Sequence, residues 1–415
     1  MTSPTVQTFP SKDFLDLPSL KKVMEELEAQ RLELKPFHPI VLEFCEALAR
    51  SLRKNKAVKS LPAIAALAWW LRPASIGRLQ DQWNLISASP NIARVPRGIV
   101  FHIPPTNVET ILVYSWICSA LAGNANVIRL SSSSNSEEQI LFEILFETLK
   151  DFPLLQKTTQ FVKYAHETEV TEILSQSDVR AIWGGDNTVR AIRQVSSSPR
   201  SIDIPFANRY SFSVLSSSAI DAASDREMIQ LAHDFVNDAY WFDQMACSSP
   251  KMIFMVNTKD NHNQKTLGKF IDFLVTELEQ KNPEVAASVS MTKLVNSFSL
   301  AADGLVTNIH RPSHRITVGE FSELTSFPRD TPGGGLFYTM NIEHLDQLLP
   351  FIQRTDQTIT HFGFDEQQLR DFVYSLNGRG IDRIVPIGEA LNFDVLWDGF
   401  NLFESFSKLV HLKTY

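Results

Sequence analysis

From residue 97 onward, short apolar runs of strand length alternate with segments of helix length. Residues 98–103 predict a buried strand, residues 108–122 a buried helix and residues 126–130 a second strand. Strands that are joined by a crossover helix pair in parallel, so this unit predicts a parallel sheet with helices on its faces. No constraint elsewhere in the chain limits the fold as strongly.

The alternation continues to residue 205, and a second series of strands and helices begins near Arg209. Its strands are predicted at residues 211–215, 252–256 and 336–341. Before residue 86 the chain is predicted to be helical, with amphipathic repeats at residues 20–34 and 39–52. The predicted fold is therefore α/β, with two related α/β domains and an N-terminal helical segment. The expected division is into N-terminal helices with a first α/β domain (1–208), a second α/β domain (209–385) and a C-terminal segment (386–415).

Composition excludes several classes of function. Hydrophobic residues make up 44% of the 415 residues and charged residues 21%, as in a globular enzyme. The formal net charge of −8, without a long basic run, argues against nucleic-acid binding. The apolar runs at residues 61–71 and 111–122 are shorter than the roughly 20 residues that span a bilayer. The first residues show no signal-peptide pattern, so we expect a cytoplasmic protein without a membrane segment.

The three cysteines are widely separated, which argues against disulfides and for a reducing compartment. Cys45 and Cys118 fall inside predicted helices, where cysteine is commonly a small buried hydrophobe. Cys247 instead lies in the polar segment DQMACSSP, directly before an apolar strand. Nucleophiles are often placed on such loops at strand ends. The pattern alone leaves both a structural and a catalytic role open for Cys247.

Gly184, Gly185 and Asp186 lie between a predicted strand and a predicted helix. The amino end of a helix can receive a phosphate, although a strand–Gly-Gly–helix turn is also ordinary loop chemistry. The sequence contains no G-x-G-x-x-G after a strand, and no H-E-x-x-H, C-x-x-C, G-x-S-x-G or Walker A pattern. These absences give no support to metal catalysis or serine hydrolysis.

Taken in order, five segments resemble the acyl-CoA reductase branch of the aldehyde dehydrogenase superfamily. That branch is typified by the reductase component of the bacterial bioluminescence fatty-acid reductase complex. Each segment is weakly specific alone, but the ordered set is specific. The segments are PRGIVFHIPPTNV (96–108), LAGNANVIRLS (121–131), WGGD (183–186), DQMACSSP (243–250), and GIDRIVP (380–386) followed by WDG (397–399).

The resemblance implies a catalytic pair. Cys247 matches the family's nucleophilic cysteine, and Asn107 matches the asparagine whose amide helps to form the oxyanion hole. Without the resemblance, Asn107 would be interpreted as a turn residue after two prolines. His102 and His233 are expected to be structural.

The resemblance also implies a nicotinamide site. Arg129 and Ser131 match positions that hold the adenosine ribose, where the family usually has lysine in place of the arginine. Gly184, Gly185 and Asp186 match the turn beside the pyrophosphate. An arginine near the ribose favours NADPH, with NADH as the alternative.

One departure from the superfamily pattern bears on the reaction. Hydrolytic aldehyde dehydrogenases carry a glutamate that activates water, and the matching stretch here, residues 205–209, has no carboxylate. The resemblance therefore implies reduction of a fatty acyl thioester, acyl-CoA or acyl-protein, to the aldehyde. An acyl-transferring partner protein and a homo-oligomer are also implied. The alternatives are an acyl-phosphate reductase and a non-catalytic subunit of an acyl-transfer complex.

Overall fold

The computed structural model describes residues 5–86, 91–105, 108, 110–131, 135–165, 167–256, 263–282, 285–321, 323–324 and 327–413. The chain divides into two compact units. The first unit comprises residues 1–208 and 393–415, and the second unit comprises residues 209–392. Among the described residues, no helix combines the length and the apolar character needed to cross a membrane.

The first unit begins with two short strands and four helices, with 3-10 turns between some of them. The elements are β1 (Val6–Phe9), β2 (Phe14–Leu15), α1 (Leu17–Gln30), a 3-10 helix (Arg31–Glu33), α2 (Pro39–Lys54), a second 3-10 helix (Ala57–Ser60), α3 (Pro62–Trp70) and α4 (Pro73–Ile86). The helices predicted at residues 20–34 and 39–52 correspond to α1 and α2. Proline in the first turn suits both helix starts, and the Asp16 side chain accepts a hydrogen bond from the Ser19 amide at the start of α1.

The all-helical interpretation of the N-terminus was wrong for β1 and β2. These strands form an antiparallel hairpin, and β1 also pairs antiparallel with a strand of the first sheet. Val6 and Thr8 are buried while Gln7 and Phe9 are half-buried, which is the alternation of a strand with one face toward the core. Four residues of alternation are too short to distinguish from a loop in sequence.

A seven-stranded sheet forms the centre of the first unit, in the order β2-β1-β6-β5-β4-β7-β8. The strands from β6 to β8 in that order are parallel, as the β–α–β pattern predicts. Every residue of α5 is buried, which explains its apolar sequence. The elements are β3 (Ile92–Pro96), β4 (Ile99–Ile103), α5 (Thr110–Leu121), β5 (Ala125–Arg129), α6 (Ser136–Leu149), α7 (Pro153–Thr158), β6 (Thr159–Lys163), α8 (Thr168–Leu174), β7 (Val179–Trp183), α9 (Asp186–Gln194) and β8 (Ile202–Phe206).

The second unit contains another seven-stranded sheet, in the order β11-β12-β13-β10-β9-β14-β15, and only β11 pairs antiparallel. Its strand β10 sends alternate side chains to two apolar cores, one on each face. The elements are β9 (Tyr210–Ser216), α10 (Ser217–Ala222), α11 (Asp225–Tyr240), β10 (Pro250–Val256), α12 (Asn263–Lys281), α13 (Ala287–Ala302), β11 (Val306–Ser313), β12 (Ile316–Phe321), β13 (Leu336–Ile342), a 3-10 helix (Leu345–Phe351), β14 (Asp356–Phe362), α14 (Glu366–Leu376) and β15 (Arg383–Pro386).

The two sheets share one topology. In each sheet the first strand of a five-strand set is central, the second and third lie on one side, and the fourth and fifth lie on the other. The sets are β6-β5-β4-β7-β8 and β13-β10-β9-β14-β15. This common order confirms the prediction of two related α/β domains.

The chain returns to the first unit at residue 393. The C-terminal residues 396–411 contain short strands and one short helix. They form β16 (Leu396–Trp397), β17 (Phe400–Asn401), α15 (Leu402–Ser405) and β18 (Ser407–His411). β18 pairs antiparallel with β3, and β16 with β17.

Candidate active site

Cys247 lies in a tight turn directly before β10. The turn is closed by the Ser249 amide, which donates to the Ala246 carbonyl at 3.1 Å, so that Cys247 occupies its second position. The Ser211 hydroxyl at the start of β9 donates to the Cys247 carbonyl at 2.7 Å. The Ser249 hydroxyl donates to the Asp238 carbonyl of α11, also at 2.7 Å. Two neighbouring elements therefore fix the turn, while the cysteine itself remains half-buried.

The other two cysteines are in different surroundings. Cys45 in α2 and Cys118 in α5 are both fully buried. Burial raises the pKa of Cys45 to about 12 and raises that of Cys118 well above its usual range. Because the thiolate is the nucleophile, neither thiol is suited to nucleophilic attack at neutral pH.

Sequence reasoning missed a lysine beside the Cys247 turn. Lys251 is the second residue of β10, and the pairing of β10 with β9 shifts register between Pro250 and Met252, so Lys251 lies at a bulge. Bulges often redirect a side chain next to a functional site. Burial lowers the pKa of Lys251, whereas the Cys247 thiol and the Asp330 carboxylate favour its charged form. A nearby cation favours the thiolate form of a cysteine.

The Gly184-Gly185 turn follows β7 directly and leads into α9. The Gly184 amide donates to the Phe206 carbonyl at 3.1 Å, and the Trp183 and Phe206 rings stack with centroids 3.5 Å apart. A Cβ atom on Gly184 would lie 3.2 Å from the Thr188 side chain. The turn is therefore held by β8, close to the backbone at the first turn of α9, where amide groups lack intrahelical partners.

Asp186, the first residue of α9, engages its carboxylate locally. It accepts the Asn208 amide at 3.2 Å and pairs with Arg190 at 3.6 Å. Asn208 belongs to residues 205–209, the stretch interpreted from sequence as the counterpart of the water-activating glutamate. Phe206 and Asn208 of this stretch lie beside the glycine turn.

Arg129 ends β5, and Ser131 follows two residues later. The Arg129 guanidinium stacks over the Tyr164 ring at 4.6 Å from the ring centroid. Such stacking orients the planar fork of the guanidinium, which suits it to bidentate recognition of an anion.

The topology brings these residues to one edge of the first sheet. Because β5, β4 and β7 are parallel neighbours, Arg129 and Gly184 both lie at the carboxyl edge, on opposite sides of β4. The order in which strands are added to the sheet changes sides at β4, since β5 and β6 lie on one side of it and β7 and β8 on the other. Open α/β sheets bind ligands at this edge beside such a reversal.

Three other residues singled out from sequence have the following placement. Asn107 lies outside the described residues. His102 is fully buried in β4 and hydrogen-bonded through both ring nitrogens. Its partners are the Ser115 hydroxyl at 2.8 Å and the side-chain amide oxygen Oδ1 of Asn126 at 3.0 Å. His233 pairs with Glu277 at 2.8 Å. Both histidines have structural partners.

Within the described ranges, no group of three or more His, Cys, Asp or Glu side chains could hold a metal ion.

The family model described as "Acyl-CoA reductase (LuxC)" matches residues 78–409 of the chain. The chain belongs to the acyl-CoA reductase family. Its members are oxidoreductases that act on acyl groups and aldehydes, and this reductase shares that class. No curated protein sequence matches the reductase significantly.

Solved structures of aldehyde dehydrogenases share the fold of the reductase. An NAD-dependent benzaldehyde dehydrogenase from Corynebacterium glutamicum is 14% identical, with a TM-score of 0.59 over 96% of this chain and 89% of that chain. Glyceraldehyde-3-phosphate dehydrogenase GapN from Methanocaldococcus jannaschii, complexed with NADP, is 13% identical, with a TM-score of 0.63 over 96% of each chain. Aldehyde dehydrogenase 21 from Physcomitrella patens is 9% identical, with a TM-score of 0.66 over 99% of this chain and 94% of that chain.

Proposed function

We propose that this reductase converts a fatty acyl thioester into the aldehyde through an S-acyl intermediate on Cys247, with NADPH as reductant. One acyl thioester, one reduced nicotinamide and one proton give one aldehyde, one free thiol and one oxidised nicotinamide. The carrier of the acyl group is a coenzyme A or protein thiol.

The observation that carries the proposal is the contrast among the three cysteines. Cys45 and Cys118 are buried thiols with raised pKa values, whereas Cys247 is half-buried in an anchored turn beside the Lys251 ammonium. Only the latter setting favours a thiolate that can reach a substrate.

In the first step the Cys247 thiolate attacks the carbonyl carbon of the acyl thioester, and a new carbon–sulfur bond forms. The carbon–sulfur bond to the carrier then breaks, and the departing thiolate takes up a proton. The oxyanion that develops between these events needs donors, and we assign that role to the Asn107 amide and the Cys247 backbone N–H. One such donor lowers the barrier by roughly 3–4 kcal/mol.

The first unit offers residues that fit a dinucleotide. The Gly184-Gly185 turn leads into the amino end of α9, where free amide groups can receive a pyrophosphate, and the stacked Arg129 with Ser131 suits the ribose end and a 2′-phosphate. Asp186 supports this turn through its bond to Asn208. When bound, a reduced nicotinamide would supply the hydride for the reduction.

Residues 205–209 support reduction of the S-acyl enzyme over its hydrolysis. They contain no carboxylate, and the Phe206 ring in this stretch stacks on Trp183. Without a general base at that position, water is a poor nucleophile toward the S-acyl enzyme. Cys247 is therefore released on formation of the aldehyde and not of a free acid.

Apolar side chains of the C-terminal segment support the expectation of a homo-oligomer. Leu409 and Val410 of β18 and the following Leu412 are exposed. A strand of a two-stranded sheet that exposes apolar side chains is suited to contact between identical subunits.

The test is turnover across acyl-CoA chain lengths with NADPH and with NADH, combined with mass spectrometry of the acyl-enzyme trapped without cofactor. We expect the acyl group on the peptide that contains Cys247, and we expect Cys247→Ser to lose both acylation and aldehyde formation. Cys45→Ala is the matched control and should retain both. Substantial aldehyde production by Cys247→Ser would refute the proposal.

A further inference from the structure

The backbone directly before the Cys247 turn is in a strained conformation. Asp243 and Gln244 are consecutive non-glycine residues in the left-handed region, with φ of 49° and 61°. Residues with a Cβ atom adopt this region rarely, and the conformation persists only where the surroundings enforce it. Something must therefore hold this segment in place.

The Gln244 side chain provides the first constraint. It is fully buried, and its Nε2 group donates to the Pro250 carbonyl at 3.0 Å and to the Leu336 carbonyl at 3.2 Å. Its Oε1 atom accepts the Gly335 amide at 2.6 Å. Because Gln244 precedes Cys247 by three residues and Pro250 follows it by three, the bond to Pro250 closes the nucleophile turn into a loop.

A run of three glycines provides the second constraint. Gly333, Gly334 and Gly335 all have positive φ, between 65° and 84°. The Gly334 amide donates to the Asp243 carbonyl at 2.8 Å. A Cβ atom on Gly333 would lie 2.5 Å from that same carbonyl oxygen, so only glycine allows this approach.

We propose that Gln244, docked on the Gly333–Gly335 run, is the positioning residue that sets the direction of the Cys247 thiol. The inference rests on the proposed function for the role of Cys247 as nucleophile. Glutamine is suited to the position because it offers two donors and one acceptor from one planar group. Glutamate could accept from Gly335 but could not donate to the two carbonyls, and asparagine is one methylene shorter.

The test compares Gln244→Met, which keeps the side-chain length and removes all three bonds, with wild type. Thr360→Val is the matched control, since it removes a buried hydrogen bond between Thr360 and Ser213 (2.6 Å) in the same sheet. Three experiments are made on each folded protein. Urea unfolding gives the midpoint, and alkylation by iodoacetamide from pH 6 to pH 10 gives the second-order rate constant of Cys247. Steady-state kinetics give kcat and KM for an acyl-CoA.

We expect Gln244→Met to lower kcat by about 10²-fold, the effect of misplacing a reacting atom by about 1 Å, with a small change in KM. Its alkylation profile should differ from wild type, and Gln244→Glu should lie between the two. Thr360→Val, which removes one buried bond where Gln244→Met removes three, should lose less stability and keep both the profile and kcat. Gly333→Ala, which displaces the same loop from the opposite side, should reproduce the effect of Gln244→Met and serves in its place if that variant does not fold.

Wild-type alkylation and wild-type kcat in Gln244→Met or Gly333→Ala would overturn the inference. Loss of kcat in the Thr360→Val control to the same extent would also overturn it, because a general loss of stability would then explain the result. Failure of the proposed function can be distinguished from failure of this inference. The former would appear as aldehyde formation by Cys247→Ser. The alkylation profiles of the Gln244 variants would still report on the position of the thiol.

Discussion

Acidification should destabilise the first unit through His102. The Asn126 amide nitrogen donates to the Asn124 carbonyl at 2.8 Å, so its oxygen faces the His102 ring and accepts from Nε2–H. The Ser115 hydroxyl accepts the Trp183 indole N–H at 3.1 Å, which leaves its own proton for His102 Nδ1. The network thus accommodates the neutral imidazole and has no acceptor for a second ring proton.

The magnitude follows from the pKa. Burial lowers the pKa of His102 to about 4, against an ordinary value of 6.5. Between these values the unfolded chain binds a proton that the folded chain does not, so the free energy of unfolding falls as the pH falls. The loss is absent above pH 6.5, about 2 kcal/mol at pH 5 and about 3 kcal/mol near pH 4.

A second buried group acts in the opposite direction. Burial raises the pKa of Asp238 to about 7, although the Gly388 and Ala390 amides donate to its carboxylate. Its folded-state pKa lies above the unfolded value, so its contribution to stability is full at low pH and is lost as the pH rises through about 7. Acidification therefore increases this contribution over the same range in which the contribution of His102 declines.

The pH dependence of stability in one protein contains both contributions, so the assay must compare two proteins. We would measure urea unfolding from pH 7.5 to pH 4.5 for wild type and for His102→Gln, which cannot titrate in this range. The contribution of Asp238 is common to both and cancels in the difference. The stability gap between the two proteins should narrow by about 2 kcal/mol from pH 7 to pH 5. A gap that does not change with pH would show that His102 is not held neutral by burial.

Three further predictions concern the site. Lys251→Met should raise the pKa of the Cys247 thiol, so that the ratio of its alkylation rate at pH 7 to that at pH 9.5 falls by about 10-fold from the wild-type ratio. Lys251→Arg should behave as wild type. An unchanged pH profile in Lys251→Met would show that the lysine does not act on the thiol. Arg129→Met should reduce the preference for NADPH over NADH by about 10- to 100-fold in dissociation constant, whereas equal weakening of both cofactors would exclude recognition of a 2′-phosphate. Asn107→Ala should lower turnover by roughly 10²- to 10³-fold with little change in thermal stability, and an unstable but fully active variant would identify it as a turn former only.

The regular part of the fold was predictable because its signals are local. The buried strand β4, the apolar helix α5 and the strand β5 each carry enough consecutive apolar residues to be distinguished from loops. The short N-terminal strand β1 was not predictable, since its place in the sheet depends on pairing with β6, more than 150 residues later. Neither the order of the strands nor the return of the C-terminus to the first unit is written in any local pattern.

The same distinction between local patterns and long-range pairing applies to the candidate site. Cys247 and the Gly184-Gly185 turn could be proposed from sequence because each lies next to a strand and matches a family segment. Lys251 was missed because its position at a bulge depends on a register shift against β9.

Gln244 was missed although it belongs to the same segment as Cys247. Its partners include Pro250 at the start of β10 and Leu336 at the start of β13, and Leu336 lies 92 residues after Gln244 in the chain. A glutamine in a sequence does not indicate where its side-chain amide will bond. The run Gly333–Gly335 did carry a signal, since three consecutive glycines before an apolar strand are typical of a close approach between backbones. Because that signal does not say which backbone approaches, the sequence could suggest the cysteine but not the residues that hold it.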